Sequence, residues 1–133
     1  MDRETILDDV QRLADLDSHD AADRTAIETL RTLGEHVSTG EAEDLAAILP
    51  GDLGDAVTAH SDAEPDRFDP DTFAARVAER EGTDVSNDEA MTHVRAVLAA
   101  IANNGGRDEL QDAREDLPNG YATIFETADL ADA

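Results

Sequence analysis

The stretch that decides the fold is LGEHVSTGEAEDLAAILPGDLGDAV, from Leu33 to Val57. It contains a helix end, a turn of small residues, a short helix with an apolar face, a proline stop and one further helical segment. The same order returns 68 residues later in IANNGGRDELQDAREDLPNGYATIF, from Ile101 to Phe125. Because the turn, the short helix and the Leu-Pro stop recur in order and spacing, the sequence predicts an internal repeat. We expect Leu49 and Leu117 to occupy equivalent buried positions.

The composition favours helices throughout. Aromatic residues make up 3% of the chain, so the core must be built from Leu, Ile, Val and Ala, and Ala and Leu are the best helix formers. The apolar residues keep helical spacing, which predicts an all-α fold: a compact helical bundle of two pseudo-repeated three-to-four-helix units. We predict a single domain over residues 1–133, with a first helical repeat at 1–60, a linker at 61–70 and a second helical repeat at 71–133.

Capping signals and breakers give approximate helix bounds. Ser38 with Glu41, and Ser86 with Glu89, have the spacing of capping boxes, and Pro70 suits the first position of a helix. In the first half we predict helices over about 4–16 and 21–37, a short helix from the Ser38 cap to Pro50, and a last one reaching about 59. In the second half, the segment 103–106 is predicted to end the long helix, with a glycine in the left-handed conformation.

Charge is the strongest compositional signal. The chain has 33 acidic and 10 basic residues, a formal net charge of −23, and every basic residue is Arg. The absence of Lys together with this acidic excess indicates a salt-adapted protein of haloarchaeal type, with hydrated cations at its acidic surface. The scarce arginines are expected to connect one helix to another through intramolecular ion pairs. The candidates for these pairs are Arg24, Arg31, Arg76, Arg80, Arg95 and Arg114.

Several classes of function are disfavoured. The chain has no Cys, which excludes disulfides and thiol chemistry, and no Lys, which excludes a P-loop. The N-terminal sequence MDRETILDD lacks the apolar region of a signal peptide, and the longest apolar run has seven residues, from Ala96 to Ala102. We therefore expect a cytoplasmic location and no membrane segment. The charge argues against nucleic acid as a direct partner.

The four histidines provide the main catalytic candidates. His36, beside Glu35 near the central turn, is the best of them, and no nucleophile or second ligand is placed near it by sequence. His93 lies one helical turn from Glu89 and is expected to pair with it at the surface. No catalytic, cofactor-binding or metal-ligating residue is assigned, and no cofactor is predicted.

Four segments carry a resemblance to a known family, the prokaryotic domain of unknown function 2267. They are RTLGEHVSTGEAEDLAAILPGDL (31–53), FAARVAEREG (73–82), VRAVLAAI (94–101) and DAREDLPNGYATIF (112–125). The resemblance covers nearly the whole chain and rests on helix-packing motifs. It implies an all-helical domain of two units, found mostly as small free-standing bacterial and archaeal proteins. It implies no activity, cofactor or catalytic residue.

Two classes of function follow. The first is a non-enzymatic helical interaction module that binds a protein partner or a second copy of itself. Its surface would lie around the turn–short helix–proline units, with Ile48, Leu53 and Ile124 at the edges of apolar faces. The alternative is a small-molecule-binding protein or small enzyme with a site between the two repeats near His36. The absence of a recognisable nucleophile, metal-ligand set or phosphate loop favours the interaction module over an enzyme.

The charge generates a prediction about folding. Repulsion among 23 excess negative charges is screened over about 8 Å at physiological salt and about 3 Å at molar salt. Circular dichroism from about 0.05 M to about 3 M KCl should therefore show helix lost toward low ionic strength. Helicity and melting temperature that stay constant across this range would contradict the halophilic interpretation.

Overall fold

The computed structural model describes residues 2–59, 70–82 and 85–115. Within these ranges the chain forms seven α-helices and one π-helical turn, with no β-strand, so the all-α prediction is confirmed. The helices are α1 (Arg3–Leu13), α2 (His19–His36), α3 (Thr39–Ile48), α4 (Gly51–Thr58), α5 (Pro70–Glu81), α6 (Asn87–Ile101) and α7 (Arg107–Glu115). The predicted linker up to residue 69 and the second Leu-Pro stop, at Leu117 and Pro118, lie outside the described residues.

Serine side chains cap three of these helices. The hydroxyls of Ser18, Ser38 and Ser86 each accept a hydrogen bond from the backbone N–H three residues further on, at 3.1, 3.3 and 3.1 Å. Each bond satisfies one of the amide groups that a helix N-terminus leaves without a partner. The caps at Ser38 and Ser86 lie where the sequence predicts them, and they fix the first turns of α3 and α6.

Helix α1 ends at Leu13, three residues before the predicted end at Leu16. Asp15 adopts the left-handed conformation, with φ of 54°. The N–H of Leu16 then donates to the carbonyl of Gln11 at 2.9 Å, and the N–H of Asp15 donates to the carbonyl of Arg12 at 3.4 Å. This is the Schellman pattern of helix termination, usually built on glycine. No glycine marks this helix end in the sequence, which is why the predicted helix was too long.

A π-helical turn (Ala102–Gly106), hereafter the π-turn, joins α6 to α7. The predicted break in the long helix is therefore present, but it is a kink between two consecutive helices. Asn104 and Gly105 have non-helical backbone angles, and Gly105 has the predicted left-handed conformation, with φ of 102°. The Asn104 amide donates to Asp9 of α1 at 2.9 Å and to the carbonyl of Ala100 at 2.7 Å. These bonds hold the kink against α1.

Helix α2 lies at the centre of the described structure and packs against α1, α4, α5 and α6. The apolar side chains form one continuous core, to which both halves of the chain contribute. Leu49 is buried in it, as predicted. The largest side chains without exposed surface include Ile6, Leu7, Leu30, Leu33, Leu45, Leu53, Leu98 and Ile101. Most of them follow the apolar helical spacing visible in the sequence.

Helices α2 and α4 pack closely together at Gly34. A Cβ atom built on Gly34 would lie 2.0 Å from the carbonyl oxygen of Val57 and 2.9 Å from its carbonyl carbon. Both contacts are with backbone, which cannot rotate away as a side chain can. The close approach of α2 and α4 at Gly34 therefore depends on the absence of a side chain.

Arginine side chains connect α2 to α5. Arg76 Nη1 donates to Glu35 Oε2 at 3.0 Å, and Arg80 pairs with the other oxygen of Glu35. Arg80 Nη1 also donates to the hydroxyl of Thr32 at 2.8 Å. The Glu35 side chain is only 11% exposed, so these pairs are better shielded from solvent than ordinary surface pairs. For Arg76 and Arg80 the predicted helix-to-helix pairing is confirmed.

The remaining arginines behave differently from one another. Arg31 pairs with Glu28 of its own helix at 3.2 Å and so does not make the predicted link to another helix. The buried Nε of Arg95 has no hydrogen-bond partner among the described residues. The Arg114 side chain lies outside the described residues. Arg3, which the sequence did not single out, connects α1 to Asp23 of α2 and to Asp52 of α4. The hydrogen bond from Arg3 holds the pKa of Asp52 below its usual value.

The close approach at Gly34 generates a stability prediction. Gly34→Ala should destabilise the protein by about 3 kcal/mol, because the new methyl group overlaps the Val57 backbone and forces α2 and α4 apart. Gly40→Ala is the matched control. A Cβ at Gly40, also helical, meets nothing within 4 Å, so this change should be neutral or stabilising by up to about 1 kcal/mol.

Chemical denaturation of both variants at high salt measures the difference. Equal stability of Gly34→Ala and Gly40→Ala would contradict the inferred contact between α2 and α4.

Candidate functional site

A buried histidine–glutamate pair is the most unusual polar feature of the described residues. His93 of α6 is 8% exposed, and Glu81, the last residue of α5, is 6% exposed. His93 Nδ1 lies 2.8 Å from Glu81 Oε2 and 3.1 Å from Oε1. Both distances are within hydrogen-bonding range. A carboxylate at this depth requires a partner, and the imidazole provides it.

The position of His93 follows from the register of α6. The Ser86 cap sets the start of the helix, and Ala90, Val94 and Val97 then face the core. His93, three residues after Ala90 and four before Val97, lies on the same face. The expected surface pair with Glu89 is therefore wrong, because His93 points inward. Glu89 Oε1 instead accepts a hydrogen bond from the Ser86 hydroxyl at 3.2 Å. The spacing to Ala90 and Val97 was the signal that could have identified a buried histidine.

Arg24 of α2 holds the end of α5 in place beside this pair. Its Nη1 donates to the backbone carbonyl of Glu81 at 3.2 Å. The last carbonyl groups of a helix have no partner within the helix, so this bond satisfies one of them. The next residue, Gly82, has a φ of 135°, which turns the chain away from the helix axis. Arg24 and Gly82 together fix where the Glu81 side chain can reach.

The His93–Glu81 pair lies at a surface cleft, hereafter the His93 cleft. Its volume is about 410 Å³, and its lining residues are Leu16, Asp20, Ala21, Arg24, Thr25, Glu81, Val85 and His93. A second depression of about 420 Å³ shares Leu16, Ala21, Val85 and His93 with it, and adds Asp15, Asp17 and Glu89. The lining comes from the α1–α2 connection and α2 on one side, and from α5, the segment before α6 and α6 on the other. Residues distant in sequence therefore meet at this cleft.

A third cleft, of about 700 Å³ between α5 and α6, is larger but less suited to binding. Its polar lining consists mostly of exposed side chains: Asp71, Asn87, Asp88 and Thr92. Its two carboxylates are exposed, and its one basic residue, Arg95, is only partly buried. The His93 cleft combines a wall of apolar side chains with a buried polar pair, which is the usual composition of a small-molecule site.

The sequence-derived candidates are not gathered at this cleft. His36 is the last residue of α2, and its side chain lies outside the described residues. Its neighbour Glu35 is bound by Arg76 and Arg80, so it is engaged in helix packing. Ile48 is half-buried at the end of α3, Leu53 has no exposed surface, and Ile124 lies outside the described residues. Leu53 therefore belongs to the core, because α4 turns its apolar face toward α2 and α3.

The helices and the His93 cleft define an all-helical protein with a buried His–Glu pair at a cleft formed by both halves of the chain. The profile of a family described as "Uncharacterized conserved protein (DUF2267)" matches residues 3–124. Since the match covers most of the chain, the protein belongs to this family. The resemblance seen in the sequence is thereby confirmed at the level of the family. No curated protein sequence matches the chain significantly.

Two further observations concern the described part of the chain. None of its helices has both the length and the apolar character needed to cross a bilayer. No group of three or more His, Asp or Glu side chains in it is arranged to hold a metal ion.

Proposed function

We propose that the protein binds a small molecule in the His93 cleft. The observation that carries this proposal is the buried pair of His93 and Glu81 on the wall of a cleft of about 410 Å³. This volume falls within the range of about 300–1,000 Å³ that is typical of ligand pockets. Leu16, Ala21 and Val85 supply apolar lining, and the polar groups fix the orientation of a bound molecule.

The cost of burying the pair supports a role beyond stability. Replacing both partners of a buried hydrogen bond by apolar groups of the same shape can be nearly neutral or stabilising, so a fold gains little from keeping such a pair. His93 occupies a position on α6 where Val or Leu would complete the apolar face formed by Ala90, Val94 and Val97. A histidine there reduces apolar packing, and its placement at the cleft offers a reason for its presence.

A ligand site in this cleft is a modified form of the alternative hypothesis from the sequence, which placed a ligand site between the two halves of the chain. The location beside His36 is replaced by a location beside His93, about two-thirds of the way along the chain. The Arg24 bond to the end of α5 supports the cleft as a preformed feature, because it fixes the two helices that form opposite walls.

We also propose that the two halves are a structural repeat within a single domain, with the linker at 61–70. Helices α2 and α6 start at His19 and Asn87, and α3 and α7 start at Thr39 and Arg107, each pair 68 residues apart. Helix α1 packs against α2 and α6, while α5 packs against α6 and α2, so exchanging the halves preserves the pattern. An experimental structure lacking a short helix after the Leu117-Pro118 stop would contradict the repeat.

The acidic composition supports the further proposal that this family member works in a salt-rich cytoplasm. The scarce arginines support it as well. Arg3, Arg24, Arg76 and Arg80 connect helices to one another, which leaves the acidic side chains to dominate the surface and hold hydrated cations.

The interaction-module hypothesis is a second candidate, with a smaller surface than the sequence suggested. Because Leu53 is in the core, the surface would be built around Ile48, whose side chain is half-buried and retains exposed area. Its Cδ1 lies at the edge between α3 and the π-turn, 3.2 Å from the position of a Cβ built on Gly106. A second copy of the chain is the simplest occupant to test.

Self-association through this surface predicts that Ile48→Asp shifts the protein toward monomer in sedimentation velocity at molar salt, where charge repulsion is screened. Ala47→Asp, at the exposed neighbouring position, is the matched control and should leave association unchanged. A wild-type protein that sediments as a monomer at all concentrations would rule out self-association.

Ligand binding in the His93 cleft is tested by screening a fragment library against the isotope-labelled protein by two-dimensional NMR. We expect binders to shift the amide signals of Thr25, Val85 and His93. Val85→Trp should abolish these shifts by filling the cleft, while Ala47→Trp, on the exposed face of α3, should preserve them. A library of neutral, cationic and anionic fragments that leaves the cleft signals unchanged would refute the proposed function.

A further inference from the structure

The Glu81 carboxylate determines which nitrogen of His93 faces a ligand as an acceptor. An ionised carboxylate only accepts hydrogen bonds, so the short contact between Glu81 and His93 Nδ1 places the ring proton on Nδ1. In the neutral imidazole, Nε2 then carries a lone pair. Nε2 makes no hydrogen bond to any described residue, and His93 lines both depressions of the cleft. A nine-tenths buried side chain thus presents an unused acceptor at this site.

The charged groups around His93 are mainly acidic. Those lining the two depressions are Asp15 and Asp17 from the α1–α2 connection, Asp20 and Arg24 from α2, Glu81 from α5 and Glu89 from α6. Arg24, the one cation of this group, is already bound to the Glu81 carbonyl. An anionic ligand would meet an unfavourable potential here, whereas a cation would be attracted.

We propose that the ligand of the His93 cleft is a small organic cation with a primary ammonium group on a short apolar chain. This inference rests on the proposed function and specifies its ligand class. The ammonium donates a hydrogen bond to His93 Nε2, and the acidic groups at the rim stabilise its charge. The apolar chain contacts Leu16 and Val85.

The ammonium group and the apolar chain of the ligand each match a different feature of the site. An ammonium group has three donors and no acceptor, which matches a site whose free polar group is an acceptor. The volume of about 410 Å³ is near the lower end for ligand pockets, so the apolar part must be short. High salt screens the charges at the rim of the cleft. At high salt, the selectivity for this ligand must therefore come from the hydrogen bond to Nε2 and from the apolar contacts.

Protonation of His93 at Nε2 would remove the contact that we propose for the ammonium group. When Nε2 takes up a proton, the acceptor is lost and the imidazolium repels the ammonium. The proposed contact with an ammonium group therefore requires a neutral His93, whereas an anionic ligand would favour the imidazolium.

The test compares three probes of equal chain length: n-butylammonium, butan-1-ol and butyrate. Each is titrated into the wild-type protein at the lowest salt concentration that preserves full helicity. Chemical shifts of His93 Nε2 and of the Leu16 and Val85 methyl groups report binding. We expect n-butylammonium to bind most tightly, butan-1-ol more weakly and butyrate not at all.

Asp20→Asn tests the rim charge without disturbing the His93–Glu81 pair. It should weaken n-butylammonium binding about two- to fivefold, the effect of losing one exposed charge interaction. Asp44→Asn, an identical change at an exposed position of α3, should leave binding unchanged. Equal effects of the two variants would show that only the overall charge matters, which would overturn the inference.

The outcomes separate this inference from the proposed function. If butyrate or butan-1-ol binds the cleft at least as tightly as n-butylammonium, the ligand class is wrong while the cleft remains a binding site. The same holds if the fragment library yields cleft binders but n-butylammonium is not one of them. If no fragment and none of the three probes shifts the cleft signals, the proposed function and this inference both fail.

Discussion

The close contact of α2 with α4 at Gly34 is the constraint on which the rest of the structure depends. A methyl group at this position would overlap the Val57 carbonyl, so the two backbones meet without side chains between them. This contact fixes α4 against the central helix, and α3 in turn packs on α4. The remaining faces of α2 then receive α1, α5 and α6. One small residue thereby sets the position of the helix that both halves share.

The same central helix brings several of the scarce cations into its contacts with α5. Arg76 and Arg80 of α5 reach Glu35 near the end of α2, while Arg24 near its start reaches back to the end of α5. A chain with a net charge of −23 has few cations to spare, and these three lie where they connect helices. Because the Glu35 side chain is mostly buried, its pairs with Arg76 and Arg80 are shielded from salt and keep more of their strength in a salt-rich medium than exposed pairs would.

The His93 cleft arises from this arrangement. Arg24 and the turn at Gly82 bring the last residue of α5 toward α6, and the register of α6 turns His93 inward to meet it. The pair is polar beside the apolar face of α6, and a fold gains little stability from burying such a pair. The link between fold and proposed function is therefore the junction of α2, α5 and α6, which neither half of the chain forms alone.

Apolar spacing, serine caps and the Leu-Pro stop were sufficient to predict an all-helical chain, the starts of α3 and α6, and burial of Leu49, because these features depend on neighbours within one or two helical turns. The family was also recognisable from its packing motifs. The structure showed that Asp15 ends α1, and tertiary contacts decided that Leu53 faces the core and that His93 pairs with Glu81. In the first case Asp15 adopts a left-handed backbone conformation, which is not predicted from its residue type because glycine usually occupies this position. In the other two, the partner lies on another helix, and sequence periodicity defines the face of one helix but does not identify which helix will cover it.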